Sequence, residues 1–209
     1  MQLPTPVETG PLRRLASEWN ELAEADALWA VLSDPAKKGG GWALDQFLAS
    51  GEETVGGFLE QAAELGRPEA HGAALDFGCG AGRLVWGLSP HFDRVAGVDV
   101  SSEMVTAARS LLAARANVEL HVNDRPDLSF LADGSFDFVL TLIVLQHVPS
   151  RELALGYVRE LVRVTAPGGV AVIQAPARIP LAYRLQPLRR AYTLLRRLGV
   201  PARALILRT

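Results

Sequence analysis

The chain has 209 residues, of which 49% are hydrophobic and 21% charged, and its formal net charge is −2. This length and apolar content suit one domain with a sizeable core. The longest apolar stretch, residues 138–145, is too short to cross a bilayer, and residues 1–6 lack the basic start and apolar centre of a secretory signal. We therefore expect a cytoplasmic protein.

Charge is distributed unevenly along the chain. All 23 acidic residues lie at or before Glu160, whereas nine of the 21 basic residues, all arginine, follow it. We interpret these arginines as the solvated face of a surface helix, the alternative being a site for an anionic substrate or a membrane surface. A pI near 6.1 and the lack of a nucleic-acid motif predict no nucleic-acid partner. Cys79 is the single cysteine, and no carboxylate–histidine cluster predicts a metal.

The first 70 residues have helical periodicity. Apolar residues recur every three or four positions between 11 and 32, which predicts one or two amphipathic helices, and residues 42–49 and 52–65 continue this pattern after a glycine-rich basic turn. The glycines beside Trp42 suit a lid that closes over a ligand. The alternative is that Trp19, Trp29 and Trp42 fill the interface with the following sheet.

Strands and helices alternate after residue 70. The predicted strands are 73–77, 94–99, 118–122, 137–144 and 170–174, and the predicted helices are 83–89, 103–115 and 151–164. Such alternation is typical of parallel strands joined by right-handed crossovers. Ser101 or Ser102 and Ser150 are expected to cap two of the helices. Further on, residues 187–198 predict a basic amphipathic helix and residues 204–207 a candidate sixth strand.

A glycine-rich loop follows the first predicted strand, within Ala-Leu-Asp-Phe-Gly-Cys-Gly-Ala-Gly-Arg-Leu at 74–84. Gly78, Gly80 and Gly82 allow a tight turn and close backbone approach, and a helix starting at Arg83 directs free N–H groups toward the loop. Asp99 ends the second strand, where its carboxylate can accept both hydroxyls of a ribose. This pattern favours an adenosine-bearing ligand.

The glycine spacing distinguishes between cofactors. A dinucleotide loop has the pattern G-x-G-x-x-G, whereas here the second and third glycines are two residues apart and an acid precedes the first. The segment D-F-G-C-G-A-G resembles motif I of the class I S-adenosylmethionine-dependent methyltransferases, and V-A-G-V-D-V-S-S-E-M at 95–104 resembles their second strand. Residues 122–124, 133–140 and 161–170 look like later motifs of that family, so the resemblance covers residues 73–176.

The resemblance implies an α/β fold with a Rossmann-like, doubly wound and mostly parallel sheet. It divides the chain into a helical preface or lid at 1–70, a cofactor-binding core at 71–177, and a basic C-terminal helix with the candidate sixth strand at 178–209. No residues remain for the antiparallel seventh strand of the family, so the C-terminal strands look incomplete.

The resemblance also implies a set of site residues for S-adenosylmethionine. The three glycines would contact the methionine part, Asp76 its ammonium, Asp99 the ribose and Asp124 the adenine amine. Arg125 departs from the family, which has a small residue there. The full set is Asp76, Gly78, Gly80, Gly82, Asp99, Val100, Met104, Asp124, Thr141, Leu142 and Gln146.

The function implied is transfer of a methyl group to an oxygen or nitrogen of a small-molecule acceptor. Because the sulfonium already activates the methyl carbon, the protein mainly aligns the reactants and excludes water. His147 is the candidate base, since the ordinary histidine pKa lies near neutrality. Two alternatives remain open: a cofactor-binding partner subunit without activity, and a nicotinamide-dependent oxidoreductase. The motifs specify neither the acceptor nor the oligomeric state.

Overall fold

The computed structural model describes residues 9–175 and residue 195. In this part of the chain two long helices precede alternating strands and helices. The elements are α1 (Thr9–Val31), a short 3-10 helix (Pro35–Lys37), α2 (Leu44–Glu64), β1 (Ala73–Phe77), α3 (Arg83–Leu88), β2 (Arg94–Asp99), α4 (Ser102–Leu111), β3 (Val118–Val122), β4 (Phe136–Thr141), α5 (Arg151–Val164) and β5 (Thr165–Ile173).

The five strands of the described residues form one parallel sheet in the order β3-β2-β1-β4-β5. Strand order reverses at β1: the chain runs outward from β1 through β2 to β3 and then returns to β4 on the other side of β1. In open α/β sheets such a reversal leaves a crevice at the carboxyl ends of the strands, where ligands bind. The predicted Rossmann-like fold is therefore confirmed.

Alternating residues of β1 belong to two separate apolar cores. Leu75 and Phe77 pack with Leu161 of α5, whereas Ala74 packs with Val85 and Leu88 of α3. All five residues of β1 are buried. This alternation follows from the two-residue period of a strand and fixes the register of the central strand.

Several predicted element boundaries are confirmed and others are wrong. The strands at 73–77, 94–99 and 118–122 and the helix at 151–164 match, and the helix at 83–89 is one residue shorter. Strand β4 ends at Thr141 instead of 144, because the backbone turns left-handed at Ile143, with φ 62°. Strand β5 begins at Thr165 instead of 170, since it continues through an irregularity opposite Phe136–Phe138. Helix α4 ends at Leu111 instead of 115.

The N-terminal helices also differ from the predicted segments. Helix α1 is interrupted at Asp26, whose backbone is extended (φ −169°, ψ 89°). The Asp26 carboxylate accepts hydrogen bonds from the N–H groups of Trp29 and Gly40. Helix α2, predicted as two segments, is continuous. None of the described helices is long and apolar enough to cross a membrane.

Helix α2 packs closely against α3. A Cβ atom at Gly51 would lie 2.1 Å from the carbonyl oxygen of Arg83, and one at Gly87 would lie 2.7 Å from the carbonyl oxygen of Gly51. The Arg83 guanidinium donates to the Ser50 carbonyl at 2.8 Å and to the Thr54 hydroxyl at 3.1 Å. These contacts fix α2 to the helix that follows the glycine loop. Apart from Leu195, which is helical, the predicted helix 187–198 and strand 204–207 lie outside the described residues.

We expect Gly51→Ala to lower the free energy of unfolding by about 1–3 kcal/mol, because the added methyl overlaps the Arg83 backbone. Gly57→Ala on the same helix is the matched control, since nothing lies within 4 Å of its Cβ position. That change is expected to stabilise the protein by roughly 0.5–1 kcal/mol through helix propensity. Equal effects of the two substitutions in urea denaturation would contradict the packing described here.

Candidate functional site

A cavity of about 1180 Å³ lies at the carboxyl ends of the central strands. The segments that follow β1, β2 and β4 form one side, and α1 forms the other. Pockets for drug-sized ligands have volumes of about 300–1,000 Å³, so this space suits a nucleoside cofactor together with a small second ligand. The lining residues are Leu12, Leu15, Glu18, Trp19, Leu22, Trp29–Ser33, Phe77–Gly80, Arg83, Leu84, Val98–Val100, Met104, Asn123, Leu142–Val144, Gln146–Val148 and Tyr157.

Neighbouring side chains pack directly against the glycine loop after β1, so its glycines cannot carry side chains. Gly78 and Gly80 have left-handed backbones, with φ of 81° and 49°. A Cβ on Gly78 would lie 2.1 Å from the Val144 side chain, and one on Gly80 would lie 2.5 Å from the Val31 side chain. The N–H group of Gly78 donates to the Val98 carbonyl at 2.7 Å, which ties the loop to the end of β2. The loop is thus held in a fixed conformation and packed by Val144 and Val31, so only glycine fits at these two positions.

Asp99 connects the glycine loop to the segment after β2. One carboxylate oxygen accepts from the Gly80 N–H at 2.8 Å and the other from the Ser101 N–H at 2.9 Å. Burial raises the pKa of Asp99, and these backbone hydrogen bonds oppose the shift. Each carboxylate oxygen keeps capacity for another donor, so the group can accept two vicinal hydroxyls from the cavity.

Asp76 is a buried carboxyl group in the middle of the sheet. Neither of its oxygens has a hydrogen-bond partner among the described residues. Burial raises its pKa to about 7, the Arg83 guanidinium opposes this rise, and the Asp99 carboxylate adds to it. Burying a carboxyl group without a hydrogen-bond partner is costly. Such groups are common at binding sites, where a bound cation or hydrogen-bond donor supplies the partner.

Eight of the predicted site residues line the cavity together: Gly78, Gly80, Asp99, Val100, Met104, Leu142, Gln146 and His147. The other four do not. Asp76 and Thr141 are buried, and the Thr141 hydroxyl also has no partner among the described residues. Gly82 packs against Leu112 of the loop after α4, and Asp124 is exposed.

Sequence reasoning missed Asn123 and the α1 wall. Asn123 lines the cavity one residue before Asp124, and its amide donates to the Asp127 carbonyl at 3.0 Å. Asn123 directly follows β3 within the motif at 122–124, and this position could have indicated a site residue from the sequence. The apolar stripe of α1 predicted a packed helix, but nothing in the pattern indicates that the helix packs beside a cavity.

Two of the three N-terminal tryptophans line the cavity. The Trp19 ring meets the His147 ring edge-on, with 5.3 Å between centroids, and Trp29 lies further along α1. Trp42 lies outside the lining, where its indole N–H donates to the Leu32 carbonyl at 3.0 Å. Trp42 therefore holds the connection between α1 and α2.

Asn20 ties α1 to the start of α4. Its side-chain oxygen accepts from the Ser101 hydroxyl at 2.7 Å and from the Glu103 N–H at 3.3 Å. Ser101 also caps α4, because its hydroxyl oxygen accepts from the Met104 N–H at 3.0 Å. Asn20 and Ser101 thus join the α1 side of the cavity to the side that contains Asp99.

The pKa of Asp76 predicts a pH-dependent stability difference between wild type and Asp76→Asn. The unfolded chain ionises near the ordinary value of 3.8 and the native state only near 7, so Asp76 progressively destabilises the native state between those values. The asparagine variant does not titrate. Its stability relative to wild type should therefore rise by up to about 1.4 kcal/mol per pH unit from about pH 4 to pH 7 and then level off. Parallel pH profiles in urea denaturation would contradict this.

Comparison with known proteins agrees with the geometry. A family model described as a methyltransferase domain matches residues 75–173. Ajmaline N-methyltransferase of Rauvolfia serpentina is 34% identical over 103 residues, which are 47% of this chain and 34% of the relative. Ubiquinone biosynthesis O-methyltransferase of Xanthomonas campestris pv. campestris (strain B100) is 32% identical over 125 residues, 59% of this chain and 50% of the relative. The chain thus spans half or less of the length of these two curated relatives.

A solved methyltransferase-fold structure also matches this chain. The DhpI-SAM-HEP complex is 25% identical with a TM-score of 0.52, and the match covers 79% of this chain and 65% of that chain. The parallel sheet, the glycine loop after β1 and the acid at the end of β2 lie within or beside the matched segment. Residues 75–173 thus match a methyltransferase domain, and the described residues have the Rossmann-like fold of the class I S-adenosylmethionine-dependent methyltransferases, which this chain resembles.

Proposed function

We propose that this chain binds S-adenosylmethionine and catalyses methyl transfer to an oxygen or nitrogen of a small-molecule acceptor. The observation that carries the proposal is the Asp99 carboxylate, held by the N–H groups of Gly80 and Ser101 at the edge of a cavity that also contains the glycine loop. A cavity with two anchored acceptor oxygens beside a glycine turn suits a ribose and its attached chain.

The residues present fit this cofactor. Its ammonium and sulfonium groups are cationic, and the buried Asp76 carboxyl has no partner among the described residues. Gly78 and Gly80 line the cavity with backbone atoms alone, and the close packing of Val144 and Val31 leaves no room for a side chain at either position. We assign the methionine part to Gly78, Gly80 and Asp76, and Gly82 to the shape of the loop.

The ribose and adenine assignments follow the order of the strands. Asp99 takes the ribose hydroxyls, and Val100 and Met104 line the adenine ring. We assign the adenine amine to Asp124, which is exposed at the end of β3 beside the cavity-lining Asn123.

In this proposal, the methyl group is transferred beside the segment that follows β4. When bound, S-adenosylmethionine supplies a methyl carbon activated by the adjacent positive sulfur. Thr141, Leu142 and Gln146 position the reacting groups, and the α1 wall excludes water from them. A hydroxyl or ammonium acceptor must also lose a proton, and His147 takes that proton on a ring nitrogen. Its ring is oriented by Trp19, and its Nε2 lies 3.3 Å from the Gln146 amide nitrogen.

The two relatives support a small-molecule acceptor but differ in the atom that their names specify, nitrogen in one and oxygen in the other. We further propose the domain limits 1–70 for the helical preface or lid, 71–177 for the core and 178–209 for the C-terminal segment.

Asp99→Ala should weaken binding of S-adenosylmethionine and S-adenosylhomocysteine by about 1.5–3 kcal/mol, because charge-assisted hydrogen bonds to the ribose are lost. Calorimetric titration measures this, and nicotinamide nucleotides titrated in parallel should give no heat. Asp93→Ala removes an equal charge from an exposed residue just before β2 and should leave affinity unchanged. Melting curves without ligand show whether each variant is folded. Unchanged affinity in Asp99→Ala, or preference for a nicotinamide nucleotide, would contradict the proposal.

His147→Gln should lower kcat by roughly 10²–10⁴ while cofactor affinity stays near the wild-type value, because the acceptor proton then has no base. The measurement is steady-state methyl transfer to an acceptor identified from a panel of hydroxyl and amine compounds. His91→Gln is the control, since His91 is exposed before β2. A wild-type kcat in His147→Gln excludes this role. Cofactor binding without turnover on any panel member would favour the partner-subunit alternative.

A further inference from the structure

Glu18 is a charged residue within an apolar stripe. Leu15, Glu18 and Leu22 are spaced three and four residues apart on α1, so they share one helix face, and all three line the cavity. An apolar stripe that faces a cavity normally carries no charge, because desolvating a carboxylate without a partner is costly. The position of Glu18 therefore needs an explanation in terms of what enters the cavity.

The Glu18 carboxylate has no hydrogen-bond or ion-pair partner within residues 9–175. The other charged residues that line the cavity, Asp99 and Arg83, are both engaged. Asp99 accepts from Gly80 and Ser101, and the Arg83 guanidinium donates to Ser50 and Thr54 of α2. Among the described residues, Glu18 thus contributes a negative charge with no partner to an otherwise largely apolar wall.

Neighbouring contacts locate Glu18 along the cavity. One turn earlier, Leu15 packs against the core that includes Leu145 and Tyr157, and the next residue, Trp19, contacts the His147 ring. Glu18 therefore lies beside the segment that follows β4. Asp99, which we assign to the ribose, lies near the point where Asn20 meets the start of α4.

We propose that Glu18 binds the cationic nitrogen of the methyl acceptor, which is therefore an apolar amine rather than an alcohol, a phenol or an acid. The ammonium N–H groups donate to the Glu18 carboxylate while the hydrocarbon part packs against Leu15 and Leu22. The Trp19 ring also lines the cavity, and its face favours a nearby cation. A neutral hydroxyl leaves the carboxylate uncompensated, and an anion is repelled. This inference rests on the proposed function and assigns its acceptor class.

The test compares two probes of equal shape, phenylbutylamine and phenylbutanol, titrated calorimetrically into protein saturated with S-adenosylhomocysteine. We expect the amine to bind at least about tenfold more tightly than the alcohol, as charge-assisted hydrogen bonds imply. In Glu18→Gln this preference should disappear while affinity for S-adenosylhomocysteine is retained. Glu24→Gln is the matched control, because Glu24 lies on the same helix but is exposed and outside the cavity lining.

Equal affinity of the two probes for the wild-type protein, binding of neither probe, or an amine preference that survives in Glu18→Gln would each overturn the inference. The wild-type comparison alone decides the matter if Glu18→Gln does not fold. Failure of S-adenosylhomocysteine to bind the wild-type protein would instead overturn the proposed function, so the two failures are distinguishable.

Discussion

Asp99 accepts hydrogen bonds from two backbone N–H groups, and the rest of the site depends on this constraint. It joins the loop after β1, through Gly80, to the turn after β2, through Ser101. Ser101 passes the connection on to Asn20 of α1, so three separate chain segments are held by adjoining hydrogen bonds. The carboxylate is thus a structural tie as well as the group that we propose for the ribose, and the two roles would use different lone pairs of the same oxygens.

Helix α2 supports this arrangement from behind. Its contact with α3 through Gly51 is too close for any side chain at that position, and the buried Arg83 guanidinium donates to Ser50 and Thr54 of α2. Arg83 also lowers the pKa of Asp76 against the opposing effect of burial. The preface thereby influences the ionisation of a residue in the central strand without touching it, which connects the packing of the N-terminal helices to the electrostatics of the cavity.

The sequence predicted the sheet better than the cavity. Strands β1, β2 and β3 were predicted to the residue, because apolar runs bounded by glycine, proline and acids are local signals. The end of β4 was predicted three residues too late, since the left-handed Ile143 looks like any apolar residue in a strand. Asn123 and the cavity-lining residues of α1 were missed as site residues because their role comes from tertiary packing. The sequence shows that Glu18 and Leu15 share a helix face, but it does not show what that face contacts.

The extended residue at Asp26 gives α1 two halves with separate axes. The half that follows it presses Val31 against the glycine turn, whereas the half that precedes it carries Leu12, Glu18 and Trp19. Substitutions at Leu12 or Glu18, upstream of the break, can therefore reshape their side of the cavity without altering the fit of Val31 against the glycine turn. The sequence of this wall can thus vary while the packing of the glycine turn stays the same.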